Sequence, residues 1–91
     1  MDKETLNMMK ENLENVADIL YKGNTEQGIA AMTDILPHLS MMASEIQDEV
    51  MQKKLITNVL QPLLESMENR DGTMMADIIT YELIQMVDEM M

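Results

Sequence analysis

Apolar residues in this chain recur at steps of three and four from Leu6 to Met90, and nowhere do they alternate with polar ones as a half-buried strand requires. That spacing puts them on one side of a helix, so the chain is predicted to be all-α. Composition agrees at the one point where it matters. The absence of Phe and Trp, with only two Tyr, removes most of the aromatic side chains that pleated sheets favour, while 13 Met leave a core built from flexible aliphatic and thioether groups. At 91 residues the chain is expected to form a single helical domain over 1–91.

The first helix is predicted over 3–22, with Leu6, Met9, Leu13, Val16, Ala17 and Leu20 on one stripe and Glu4, Glu11, Glu14 and Asp18 opposite. Gly23 offers the left-handed position that ends such a helix, and Asn24 or Thr25 can cap the next. The second helix, 25–46, carries Ile29, Met32, Ile35, Leu36, Leu39, Met42, Ala43 and Ile46. Pro37 is expected to kink it, or to end it near Leu36 before a restart. A short connection near 47–51 leads to a third helix over 52–69, whose core face is read as Ile56, Val59, Leu60, Leu63 and Met67, with Pro62 bending it. Asn69-Arg70-Asp71-Gly72-Thr73 marks the last turn, before a helix over 72–90. The expected architecture is an antiparallel four-helix bundle built from two helical hairpins, or three helices if the middle pair fuses. Shifting the first hairpin by 47 residues aligns Gly23-Asn24 with Arg70-Asp71 and Leu20 with Met67, which hints at an internal repeat.

Charge narrows the partners. Seventeen acidic against six basic residues give a net charge of −11, which repels DNA, RNA and anionic lipid, so no direct nucleic-acid or membrane partner is expected. An indirect role as an acidic inhibitor or DNA mimic survives. Without cysteine there is no disulfide, zinc-thiolate site, iron–sulfur cluster or thiol nucleophile. The start of the chain is polar and no apolar run approaches the roughly 20 residues that span a bilayer, so a soluble cytoplasmic protein is expected. A domain this small gains from association, which makes a homodimer a natural expectation.

No catalytic, cofactor or metal site is expected. His38, the single histidine, lacks the Glu-x-x-His spacing of a di-iron bundle, because Ile35 stands three residues before it. Asp34 and Ser40 do not complete a triad with it by spacing. Asn69-Arg70-Asp71-Gly72 matches only a fragment of a calcium loop, and Gly23, Gly28 and Gly72 are too dispersed to cradle a phosphate.

The last helix has more apolar surface than one buried face can use. Met75, Ala76, Ile79, Leu83, Met86, Val87 and Met90 form a core stripe, and Met74, Ile78 and Tyr81 form a second one. The second stripe is the candidate interaction site, with Tyr81 as anchor, although a bundle wrapping this helix from two sides would bury it instead. Adjacent pairs Met8-Met9, Met41-Met42, Met74-Met75 and Met90-Met91 point about 100° apart, so one member of each must lie at the core edge or outside.

Lys22-Gly23-Asn24, Gly28, Met32 to Leu36, Glu68-Asn69-Arg70-Asp71, Ala76-Asp77-Ile78-Ile79 and Tyr81-Glu82-Leu83 together resemble a family of small, uncharacterised, all-helical proteins of Gram-positive bacteria. The likeness covers roughly residues 15 to 88 and rests mainly on the last helix. Gly72-Thr73, in place of an aromatic and a β-branched residue, and Pro37, in place of a glycine, depart from the pattern. The resemblance implies a compact helical bundle and no activity. The chain is therefore expected to be a non-enzymatic protein-protein interaction module, with an acidic inhibitor or a structural homodimer as alternatives.

Overall fold

Aspartates cap three of the four helices, while Asn24, at the start of the second, makes no side-chain capping bond. In the computed structural model, which describes residues 1–91, α1 spans Lys3–Tyr21 and is capped by Asp2, whose carboxylate accepts from the Thr5 N–H at 2.8 Å. Helix α2 spans Thr25–Glu45. Helix α3 covers residues 49–68, and α4 covers residues 72–90. α1 packs against both α2 and α4, and α4 packs against α3, giving a four-helix bundle of two hairpins without strands. Helix α3 starts three residues earlier than the stripe pattern implies. Asp48 caps it, accepting from the Val50 and Met51 N–H groups, a polar signal that apolar spacing does not register.

Pro37 does not end α2. It faces solvent, where the Thr33 carbonyl that loses its donor can turn to water, and the helix continues to Glu45.

The two hairpin turns are built alike, 47 residues apart. Gly23 has φ +87° and Arg70 has φ +53°. The Asn24 N–H reaches back to the Ile19 carbonyl at 3.2 Å, as the Asp71 N–H reaches back to Ser66 at 2.9 Å. Gly23 and Arg70 bond in the same way to Leu20 and Met67, so each turn is a Schellman motif. The turns also meet. A Cβ on Gly72 would lie 2.7 Å from Thr25 Oγ1, and Arg70 pairs with Glu26 across the junction.

Leu6, Met9, Leu13, Val16, Ala17 and Leu20 of α1 are all buried, as their stripe predicts. In α2, Met32, Ile35, Leu39, Met42 and Ala43 are buried, as is Ile46 just beyond it, while Ile29 and Leu36 are only half-buried. The face of α3 is rotated from expectation. Leu55, Val59, Leu63 and Ser66 point inward, Leu60 and Met67 are half-buried, and Ile56 is exposed. A π-helical turn runs over Leu55–Leu60, in which the Gln61 N–H bonds to Ile56 instead of Thr57. This wider turn ends just before Pro62, whose missing N–H and bulky ring disfavour the ordinary pattern there. A second π-helical turn, Ile79–Leu83, faces the first from α4. Buried Ser66 donates its hydroxyl to the Leu63 carbonyl at 2.7 Å, and no buried side-chain polar atom lacks a partner.

The methionine pairs divide as geometry requires. Met9, Met42 and Met75 are buried beside exposed Met8, Met41 and Met74, and half-buried Met90 precedes exposed Met91.

Candidate interaction surface

Met74 and Tyr81 of α4 are 39% and 66% exposed, but Ile78 is 9% exposed and belongs to the core. The stripe expected at Met74, Ile78 and Tyr81 is thus split. Counting three and four residues from Met74, the outward positions are Met74, Asp77 and Tyr81, while Ile78 lies about 100° round from Asp77 towards the bundle. Both α1 and α3 wrap α4, which leaves a narrower outward strip than a helix with one neighbour would have.

Asp77 connects this strip to α1. The Tyr21 hydroxyl donates to Asp77 Oδ1 at 2.6 Å. That acceptor, helped by burial and the neighbouring Tyr81 phenol, holds the Tyr21 pKa above its ordinary value, with the Thr80 contact working in the opposite sense. The chain's two aromatic side chains, 60 residues apart in sequence, therefore stand exposed on one α1–α4 seam. Periodicity alone could not find Tyr21, which falls off the α1 core stripe at the helix end. Its one sequence signal is that it is the only aromatic besides Tyr81.

Along the same seam runs a groove of about 450 Å³ lined in part by Glu14, Asp18, Thr80 and Asp88. Lys10 bonds Asp88 at 2.7 Å and ties α1 to α4 at the far end, and the carboxylate raises the lysine pKa. Lys22 bonds Asp18 at 2.8 Å with the same consequence. Glu14 makes no ion pair, so the seam presents carboxylates around two phenol rings.

His38 lies elsewhere, in a cleft of about 380 Å³ between α1 and α2 that it shares with Asp34, Thr5, Met8 and Met9. Asp34 and His38 form no ion pair there. No set of three or more His, Asp or Glu side chains is grouped to hold a metal ion. No helix is long and apolar enough to cross a membrane.

A family model described as "Domain of unknown function (DUF8042)" matches residues 3–91. The chain belongs to this family. No curated protein and no solved structure matches it. The DUF8042 match takes in all four helices and both Schellman turns, so the α1–α4 seam lies wholly inside the family domain.

Proposed function

We propose that this DUF8042 domain is a non-enzymatic protein-protein interaction module that docks a basic partner segment on its α1–α4 face. The observation that carries the reading is the gathering of Tyr21, Met74 and Tyr81, all exposed, around Asp77 on a seam bordered by Glu14, Asp18 and Asp88. Tyrosines contribute large contact area with few rotatable bonds, which makes them frequent anchors. Exposed methionine adapts to the shape it meets. The carboxylates steer a cationic partner and offer its lysines or arginines ion pairs, while the rings offer cation–π contacts. Following the Gram-positive resemblance, the setting of this role is the bacterial cytoplasm.

The test is fluorescence anisotropy with a synthetic amphipathic helix rich in Lys and Arg, titrated at several salt concentrations. Saturable binding that weakens with salt and is lost in the Met74→Glu/Tyr81→Glu variant, with helicity and melting unchanged, supports the reading. Binding equal for wild type and variant rejects it. An acidic inhibitor that mimics nucleic acid is a narrower form, resting on the net charge of −11. It requires that a basic nucleic-acid-binding protein, once bound here, release its nucleic acid.

A further inference from the structure

Charge is distributed unevenly over the bundle. Acidic residues outnumber basic ones 17 to 6, yet residues 35–44 of α2 and 55–64 of α3 contain no Asp, Glu, Lys or Arg. These stretches lie on consecutive antiparallel helices. The Gln52 side-chain amide donates to the Ala43 carbonyl at 2.9 Å and ties the two helices at the end where they join.

Both helices turn an uncharged rim towards the seam between them. Asp34, Ile35 and His38 share their cleft with α1, so the side of α2 bearing Ile29, Thr33, Leu36 and Ser40 faces away from α1. On α3, Ile56, Leu60 and Leu64 follow Gln52 at steps of four, on the side that reaches α2. This seam is open. α2 packs closely along α1 and not along α3. Ile29, Leu36, Leu60 and Met67 are half-buried, and Ile56 and Leu64 are 42% and 50% exposed.

We propose that the uncharged α2–α3 seam is the interface of a homodimer, covered by the same seam of a second copy. Two molecules of net charge −11 repel through every acid-rich face, and this seam is where they meet with the fewest like charges opposed. An isologous pairing sets Ile56, Leu60 and Leu64 of one copy against the uncharged rims of the other. A basic partner is drawn instead to the carboxylates of the α1–α4 face, and nucleic acid or an anionic bilayer is repelled throughout. The dimer is independent of the docking reading above and uses a different face.

Light scattering and sedimentation across a dilution series test it. Wild type is expected at twice the 10.4 kDa chain mass, with association strengthened by salt as repulsion is screened. Ile56→Glu/Leu64→Glu, and separately Ser40→Arg from the α2 rim, are expected at the monomer mass with helicity retained. Met74→Glu/Tyr81→Glu is expected to remain a dimer. A monomeric wild type at every concentration overturns the proposal, as does a dimer that survives both rim variants or is broken by Met74→Glu/Tyr81→Glu.

Discussion

The Tyr21 hydroxyl donates to Asp77 at 2.6 Å, joining the last residue of α1 to the exposed strip of α4. The protonated phenol is the form that makes this bond, so its folded-state pKa lies above the unfolded value. Its contribution to stability is fully present below the ordinary tyrosine pKa of about 10 and is lost as pH rises through the raised folded value. Lys10 and Lys22, also raised by their carboxylate partners, follow the same sense. Ultraviolet titration of a Tyr81→Phe variant, where Tyr21 alone reports, is expected to give a midpoint above that of free tyrosine. Adding Asp77→Asn should lower it. A midpoint unmoved by Asp77→Asn would show that the bond is not held in solution.

Ile78 and Tyr81 separate core from surface on one helix. Ile78→Glu places a carboxylate among packed apolar side chains and is expected to destabilise the fold by about 3 kcal/mol or more. For a domain of this size that corresponds to a fall in Tm of at least about 12 °C. Tyr81→Glu at a 66% exposed position should change stability by only about 0.5 kcal/mol. Thermal denaturation followed by circular dichroism checks both, and similar melting for the two variants would contradict the burial pattern.

The contrast between α1 and α3 explains what the sequence could reveal. Leu6 to Leu20 is an uninterrupted α-helical stripe with charges opposite, so its buried face follows from periodicity alone. In α3 two stripes overlap, and the one that turns inward, Leu55, Val59, Leu63 and Ser66, ends on a polar residue that apolar spacing passes over in favour of Ile56, Leu60 and Met67. Periodicity therefore turns Ile56 inward, whereas it lies outward. On α4, periodicity separates Ile78 from Asp77 by about 100°, but which of them faces solvent depends on where α1 and α3 sit. The Tyr21–Asp77 bond was invisible for a related reason. It needs the distance between two helices, which no local pattern contains.

Gly28 is a helix-interior glycine whose replacement by Ala would ordinarily gain about 1 kcal/mol from propensity. Here the added Cβ would lie 2.2 Å from Leu20 Cδ2 and 2.6 Å from Cγ. Leu20 is itself 3% exposed, so it has little room to withdraw. Over-packing of this kind costs about 1 to 3 kcal/mol. Gly28→Ala is thus expected to lower the urea midpoint despite its better helix propensity. A raised midpoint would mean that α1 and α2 separate at this end more readily than their packing implies.

The two Schellman turns share one geometry but differ at the residue with positive φ, Gly23 in one and Arg70 in the other. An L side chain in the left-handed region costs about 1 kcal/mol, which glycine avoids. Gly23→Ala should therefore destabilise by about 1 kcal/mol even though no atom lies within 4 Å of the new Cβ. Arg70→Gly relieves the same strain in the second turn. Against that gain stand a more flexible unfolded chain, worth about 0.4 to 1 kcal/mol, and the exposed Arg70–Glu26 pair, worth at most about 1 kcal/mol. Arg70→Gly is then expected near neutral, and the control Arg70→Ala, which keeps the strain and loses the pair, should be the less stable of the two. Chemical denaturation of the three variants decides it, and Arg70→Ala matching or exceeding Arg70→Gly would rule out backbone strain as the governing factor at this turn.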